Sequence, residues 1–70
     1  MRSALEIMQE YRRVQSDMRA RTEELFVTAE ALRRVEIRAI IEALQEAGLL
    51  LMAEYRDACA ARADELKNLR

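Results

Sequence analysis

The chain is predicted to be all-α, a short helical bundle of two or three helices per chain that homodimerisation completes. Three observations predict this. Proline is absent and Gly48 is the only glycine in 70 residues, so the chain has almost nothing that breaks a helix. With 51% hydrophobic and 36% charged residues, the composition is that of amphipathic helices rather than of sheet or disorder. Apolar residues also recur at steps of three and four along most of the length, which is the helical period.

Homodimerisation enters through one stretch and one size argument. On a helical wheel, Leu32, Val35, Ile37, Ala39, Ile40, Ile41, Ala43, Leu44 and Ala47 spread over roughly 240°, whereas a surface helix needs a stripe a little over about 100° wide. Arg34, Arg38, Glu42, Gln45 and Glu46 fill the remaining sector, which is expected to face water. Such a helix has to be packed on two sides. A 70-residue domain folded alone buries only about 60% of its unfolded surface. Small folds make up the shortfall with disulfides, metals or oligomers. One cysteine and no histidine leave the oligomer. The expected dimer core is Leu32, Val35, Ala39, Ile40, Ala43 and Leu44.

The elements follow in order within a single domain, 1–70. Ser3 and Glu6 have capping-box spacing, so a helix begins near Ala4 and runs to about residue 21 or beyond. Ala4, Ile7, Tyr11, Val14, Met18 and Leu25 form a coiled-coil-like seam along it. Arg21 and Thr28 fall at seam positions where an apolar residue is expected. Thr22 or Thr28 is placed to cap a new helix. A bend or short turn between residues 22 and 28 therefore competes with one continuous helix, since neither Gly nor Pro interrupts. A second helix spans about 28–47. Gly48 has the position of a left-handed C-cap, giving a turn there. A last helix then covers about 50–69, with Leu51 or Met52, Tyr55, Cys59, Ala63, Leu66 and Leu69 facing inward.

Residues 32 to 48 resemble the helix that opens the DNA-binding domain of Fis-type and NtrC-family regulators. Leu32, Val35, Glu36, Ile40, Ala43, Leu44 and Gly48 occupy the positions of that pattern, and Arg56, Arg62, Leu69 and Arg70 keep its spacing further on. The resemblance implies a dimeric bundle followed by a helix-turn-helix. This chain departs from the pattern where the family touches DNA. Leu49-Leu50 stands in place of a polar turn, Cys59-Ala60-Ala61 continues a helix where a turn is needed, and Asp64-Glu65 would repel phosphate. The resemblance is therefore to a degenerate helix-turn-helix, one that has shed its DNA chemistry.

Composition narrows function by exclusion. Twelve basic against thirteen acidic residues, net −1, provide no global attraction for nucleic acid or anionic membrane. The run Leu49–Ala53 is far too short to span a bilayer, and the N-terminal residues Met1, Arg2 and Ser3 have no signal-peptide character. A lone thiol fits a reducing, cytoplasmic setting. Without histidine, the commonest metal ligand and the commonest general base are missing, and no enzyme, metal or cofactor is expected. A chorismate-mutase-like helical dimer would need cations to hold a dicarboxylate, and the single lysine, Lys67, sits at a fraying end.

What remains is protein binding. The expected partner surface comprises Phe26, Arg34, Arg38, Leu49, Leu50 and Met52. Neighbouring apolar residues such as Leu49 and Leu50 point in different directions and do not all enter one core. Arg33 and Glu36, inside the apolar arc, either snorkel to water or pair across the dimer and fix its register. The expected function is inhibition of a target protein, such as a bacterial transcription factor, by occlusion. In size and class the chain is similar to small phage-encoded or bacterial anti-activators, including those that sequester quorum-sensing regulators. The alternatives are a Fis-like or plasmid-modulator-like nucleic-acid-binding regulator and a pure oligomerisation module.

Overall fold

Two helices make the whole architecture, α1 (Ala4–Val27) and α2 (Ala31–Asn68). The structure is a computed structural model that describes residues 2–69. Met1 and Arg70, named above for the N-terminal segment and the family spacing, lie outside the described residues. The helices fold back on each other as an antiparallel hairpin measuring 61 × 14 × 14 Å. The 61 Å length matches the roughly 57 Å that a 38-residue helix should span at about 1.5 Å per residue.

α1 starts where the capping signal places it, with Ser3 Oγ accepting the Glu6 N–H at 3.2 Å. Its seam is the expected one: Ile7 is fully buried, and Ala4, Tyr11, Val14, Met18, Arg21, Leu25 and Thr28 are half-buried along the same line. On α2 the matching line is Arg34, Ile37, Ile41, Leu44, Gly48, Leu51, Tyr55 and Ala58, in alternating steps of three and four. Both lines have the a/d period of an antiparallel coiled coil. Ile7, Leu51 and Ala58 form the buried cluster, with Ala4, Tyr11, Val14 and Tyr55 packed around it.

The break falls at Thr28-Ala29-Glu30, a three-residue connection between the helices. No glycine or proline is needed, because Thr28 and Glu30 adopt ordinary extended backbone. Side chains tie off the ends instead. Arg34 donates to the carbonyls of Leu25 at 2.7 Å and Thr28 at 2.9 Å, and the Thr28 hydroxyl donates to the Glu24 carbonyl at 2.6 Å. Carbonyls at a helix end lack intrahelical partners, and a cation supplies both hydrogen bonds and charge there. The polar seam positions at this tip therefore have partners. Arg34 itself is a correction: it is half-buried at the seam rather than facing water.

Gly48 is a second correction. The expected turn and separate last helix do not form, and α2 runs straight through. Gly48 has no positive φ; it is buried at a seam position, where a Cβ would meet Tyr11 Cε2 at 3.6 Å and Val14 Cγ1 at 3.9 Å. Both distances are ordinary van der Waals contact, so the Tyr11 ring packs over this position without requiring glycine. The two terminal helices that the Fis-type pattern implies are likewise replaced by one helix over these residues.

The far end of α2 also departs from expectation. α1 begins at Ala4, near Ala58, and among the described residues every α2 residue after Ala61 is exposed. Ala63, Leu66 and Leu69 are exposed rather than inward-facing, and Cys59 is an exposed free thiol rather than a small core residue.

Candidate interaction surfaces

α2's wide apolar arc divides into two stripes. Ile37, Ile41 and Leu44 pack toward α1, so one of the two sides that the helix needs is supplied by its own chain. Leu44 therefore belongs to the hairpin seam and not with the other expected dimer-core residues. Leu32, Val35, Ala39, Ile40 and Ala43 are all exposed on the back of α2, continued by Leu50. Leu32 and Leu50 are 75% and 67% exposed, and none of the described residues covers them.

The two long edges of the hairpin differ. Along one, Arg2 pairs with Glu10 and with Glu54, where its Nε donates to Oε1 at 3.0 Å. Further along the same edge, Arg33 donates to Glu24 at 2.7 Å and to Glu36 at 3.1 Å, while Arg21 reaches Glu24 at 2.6 Å. The Arg2–Glu54 and Arg33–Glu24 contacts join the two helices, so Arg33 acts within the hairpin. Hydrogen bonds from Arg33 hold the Glu24 carboxyl below the ordinary glutamate range, and those from Arg2 do the same for Glu54. These groups are still partly open to solvent, so each pair adds modestly to stability.

The opposite edge is uncharged at its centre. Tyr11, Val14, Gln15, Met18, Gln45, Gly48, Leu49 and Met52 line a groove of about 320 Å³ there. Gly48 is one of its lining residues, beside Tyr11. Gln15 donates to the Tyr11 hydroxyl at 2.7 Å, which satisfies the polar end of the ring.

The expected partner-surface residues do not gather in one place. Leu49 and Met52 line the groove, and Arg38 lies exposed on the same edge, about three turns from Leu49 toward the tip. Phe26 sits at the tip, 84% exposed beside Val27. Leu50 faces the back of α2 instead, and Arg34 is committed to the α1 carbonyls. Sequence reasoning missed Tyr11, Val14 and Met18 as groove residues, because seam residues read as fully covered. A two-helix seam leaves its flanks open, and no sequence signal marks which flank.

Among the described residues no cluster of His, Cys, Asp and Glu is arranged to hold a metal ion, and no helix is long and apolar enough to cross a membrane. No protein family, curated protein or solved structure matches the chain.

Proposed function

We propose that this protein is a small non-enzymatic regulator that binds another protein and inhibits it by occlusion. The observation that carries this reading is the uncharged groove beside Gly48, where Leu49, Met52 and Met18 offer apolar contact. An apolar ridge on a helix of the target fits such a groove, as in helix-in-groove recognition. The methionines adapt to the shape of what enters. Arg38, further along the same edge, adds a charge that steers an acidic partner, and exposed Phe26 supplies a second apolar anchor at the tip. A helical domain of a bacterial transcription regulator is a target of the right kind, which would make the chain an anti-activator acting in the cytoplasm.

The test is affinity purification from the native host with a tagged chain, followed by binding measurements on the protein recovered. Leu49→Asp and Met52→Lys are expected to weaken that binding at least about tenfold, since each buries a charge in the interface. Helicity should be unchanged, because both positions lie outside the seam. Full binding by both variants would refute the groove as the docking site. The nucleic-acid reading predicts a mobility shift at low salt, and a shift there with no protein captured would replace this proposal.

A further inference from the structure

We infer that the back of α2 is the contact between two copies of this chain, packed antiparallel about a two-fold axis at the level of Ile41. The first support is area. The chain exposes 5801 Å², whereas a compact monomer of its 8.2 kDa mass should expose about 4,500 Å². The excess, about 1,300 Å², exceeds the roughly 800 Å² that each partner contributes to a standard interface. Among the described residues only four apolar ones are buried, so the hairpin alone has too little core for a domain of this length.

The second support is the pattern of residues, which selects a second copy as occupant. A two-fold axis requires the same patch on both chains, and an antiparallel contact requires it to read alike in both directions. Leu32 and Leu50 lie nine residues either side of Ile41, Val35 and Ala47 six, and Ala39 and Ala43 two. Under the axis Leu32 meets the partner's Leu50, Val35 meets the partner's Ala47, and Ala39 meets the partner's Ala43. The small residues fall at the centre, where they let the helix axes approach, and the leucines close the ends. From Leu32 to Leu50 the contact runs about 27 Å, or about five turns. The two α2 helices then lie inside and the two α1 helices outside, and the Leu49–Met52 groove remains open on each hairpin.

One pair is mismatched, and it makes the orientation testable. Glu36 and Glu46 lie five residues either side of Ile41, so each Glu46 faces the partner's Glu36. Arg33, 3.1 Å from Glu36, offsets that repulsion. In a parallel dimer Glu46 would face its own copy instead. Glu46→Lys therefore converts two repulsive contacts into two ion pairs only in the antiparallel arrangement.

Sedimentation equilibrium of the full chain across the micromolar range tests this, with circular dichroism to confirm helicity. The native chain is expected at twice its monomer mass. Ala43→Glu, which adds a charge at the centre of the stripe, is expected to leave a helical monomer. Glu46→Lys is expected to tighten association about tenfold. A native chain that stays monomeric overturns the inference, as does an Ala43→Glu chain that dimerises like the native one. An unchanged constant for Glu46→Lys overturns the antiparallel register, even should Ala43→Glu fail to fold. Since the groove is a separate surface, a monomer that still captures its target removes the dimer and leaves the binding proposal standing.

Discussion

The backs of the two helices differ far more than their fronts. Toward each other, α1 and α2 present the same seam, apolar residues in alternating steps of three and four. Away from each other, α1 shows Gln9, Arg12, Arg13, Ser16, Arg19 and Glu23, whereas α2 shows Leu32, Val35, Ala39, Ala43 and Leu50. A hairpin needs only one apolar face per helix. The back of α1 is a solvated face apart from Leu5 and Val27 at its two ends, and the back of α2 holds apolar surface beyond what the hairpin uses. The difference separates residues that fold the chain from residues that serve an encounter.

The largest expected effect tests that separation within α2. Ile37 is fully buried against α1, while Val35 is 63% exposed on the back. Ile37→Ala should cost about 2–5 kcal/mol, the range for a large-to-small change in a core. Val35→Ala, in dilute solution where chains do not associate, should change stability by no more than about 0.5 kcal/mol. Urea unfolding followed by helicity measures both. Equal losses would mean that the two stripes are not distinct.

A smaller contrast involves two arginines one turn apart. Arg34→Gln removes charge-assisted hydrogen bonds to the last carbonyls of α1 and should cost about 1–2 kcal/mol. Arg38 is exposed and has no hydrogen-bond or ion-pair partner among the described residues, so Arg38→Gln should fall within about 0.5 kcal/mol. Similar costs at both positions would show that Arg34 does not tie the tip.

Gly48→Ala has the opposite sign. A helical glycine costs about 1 kcal/mol relative to alanine, and the added methyl would meet Tyr11 and Val14 at ordinary contact distances of 3.6 and 3.9 Å. The variant should therefore be more stable by up to about 1 kcal/mol, with a higher Tm. A glycine in a left-handed turn would give a destabilised variant instead.

The smallest effect is the acid dependence of the charged edge. Glu24 and Glu54 both have lowered folded pKa values because of hydrogen bonds from Arg33 and Arg2. Their pairing contributes stability above the unfolded glutamate value of about 4.3, and that contribution is lost as pH falls through the lower folded values. Glu24→Gln should flatten the fall in Tm over that acidic window and leave the neutral-to-alkaline behaviour unchanged. An undiminished acid slope in this variant would assign the slope to other carboxylates.

How much of this was legible depended on how many roles a residue type carries. The α1 seam, the Ser3 cap and the all-helical class were readable, because each rests on local spacing that one face satisfies. The division of the Leu32–Gly48 arc was not. Nine apolar residues over 240° state that two neighbours are needed, and they do not state which neighbour takes Leu44 and which takes Leu32. Gly48 misled because a lone glycine after a long apolar helical stretch reads as a C-cap, whereas it lies within α2 in ordinary helical backbone. Arg34 misled because a cation near a helix end reads as solvent-facing until the end it caps is known. The groove was hidden for a related reason, since its walls are seam residues whose flanks only the hairpin geometry uncovers.

Thiol protection tests most directly whether the back of α2 is an interface while the back of α1 is not. In a Cys59→Ser background, cysteines introduced singly as Ala43→Cys and Ser16→Cys report the two backs, with maleimide labelling rates followed as chain concentration rises. Residue 43 should become progressively protected while residue 16 stays freely reactive at every concentration. Equal, concentration-independent labelling at both positions would contradict the account.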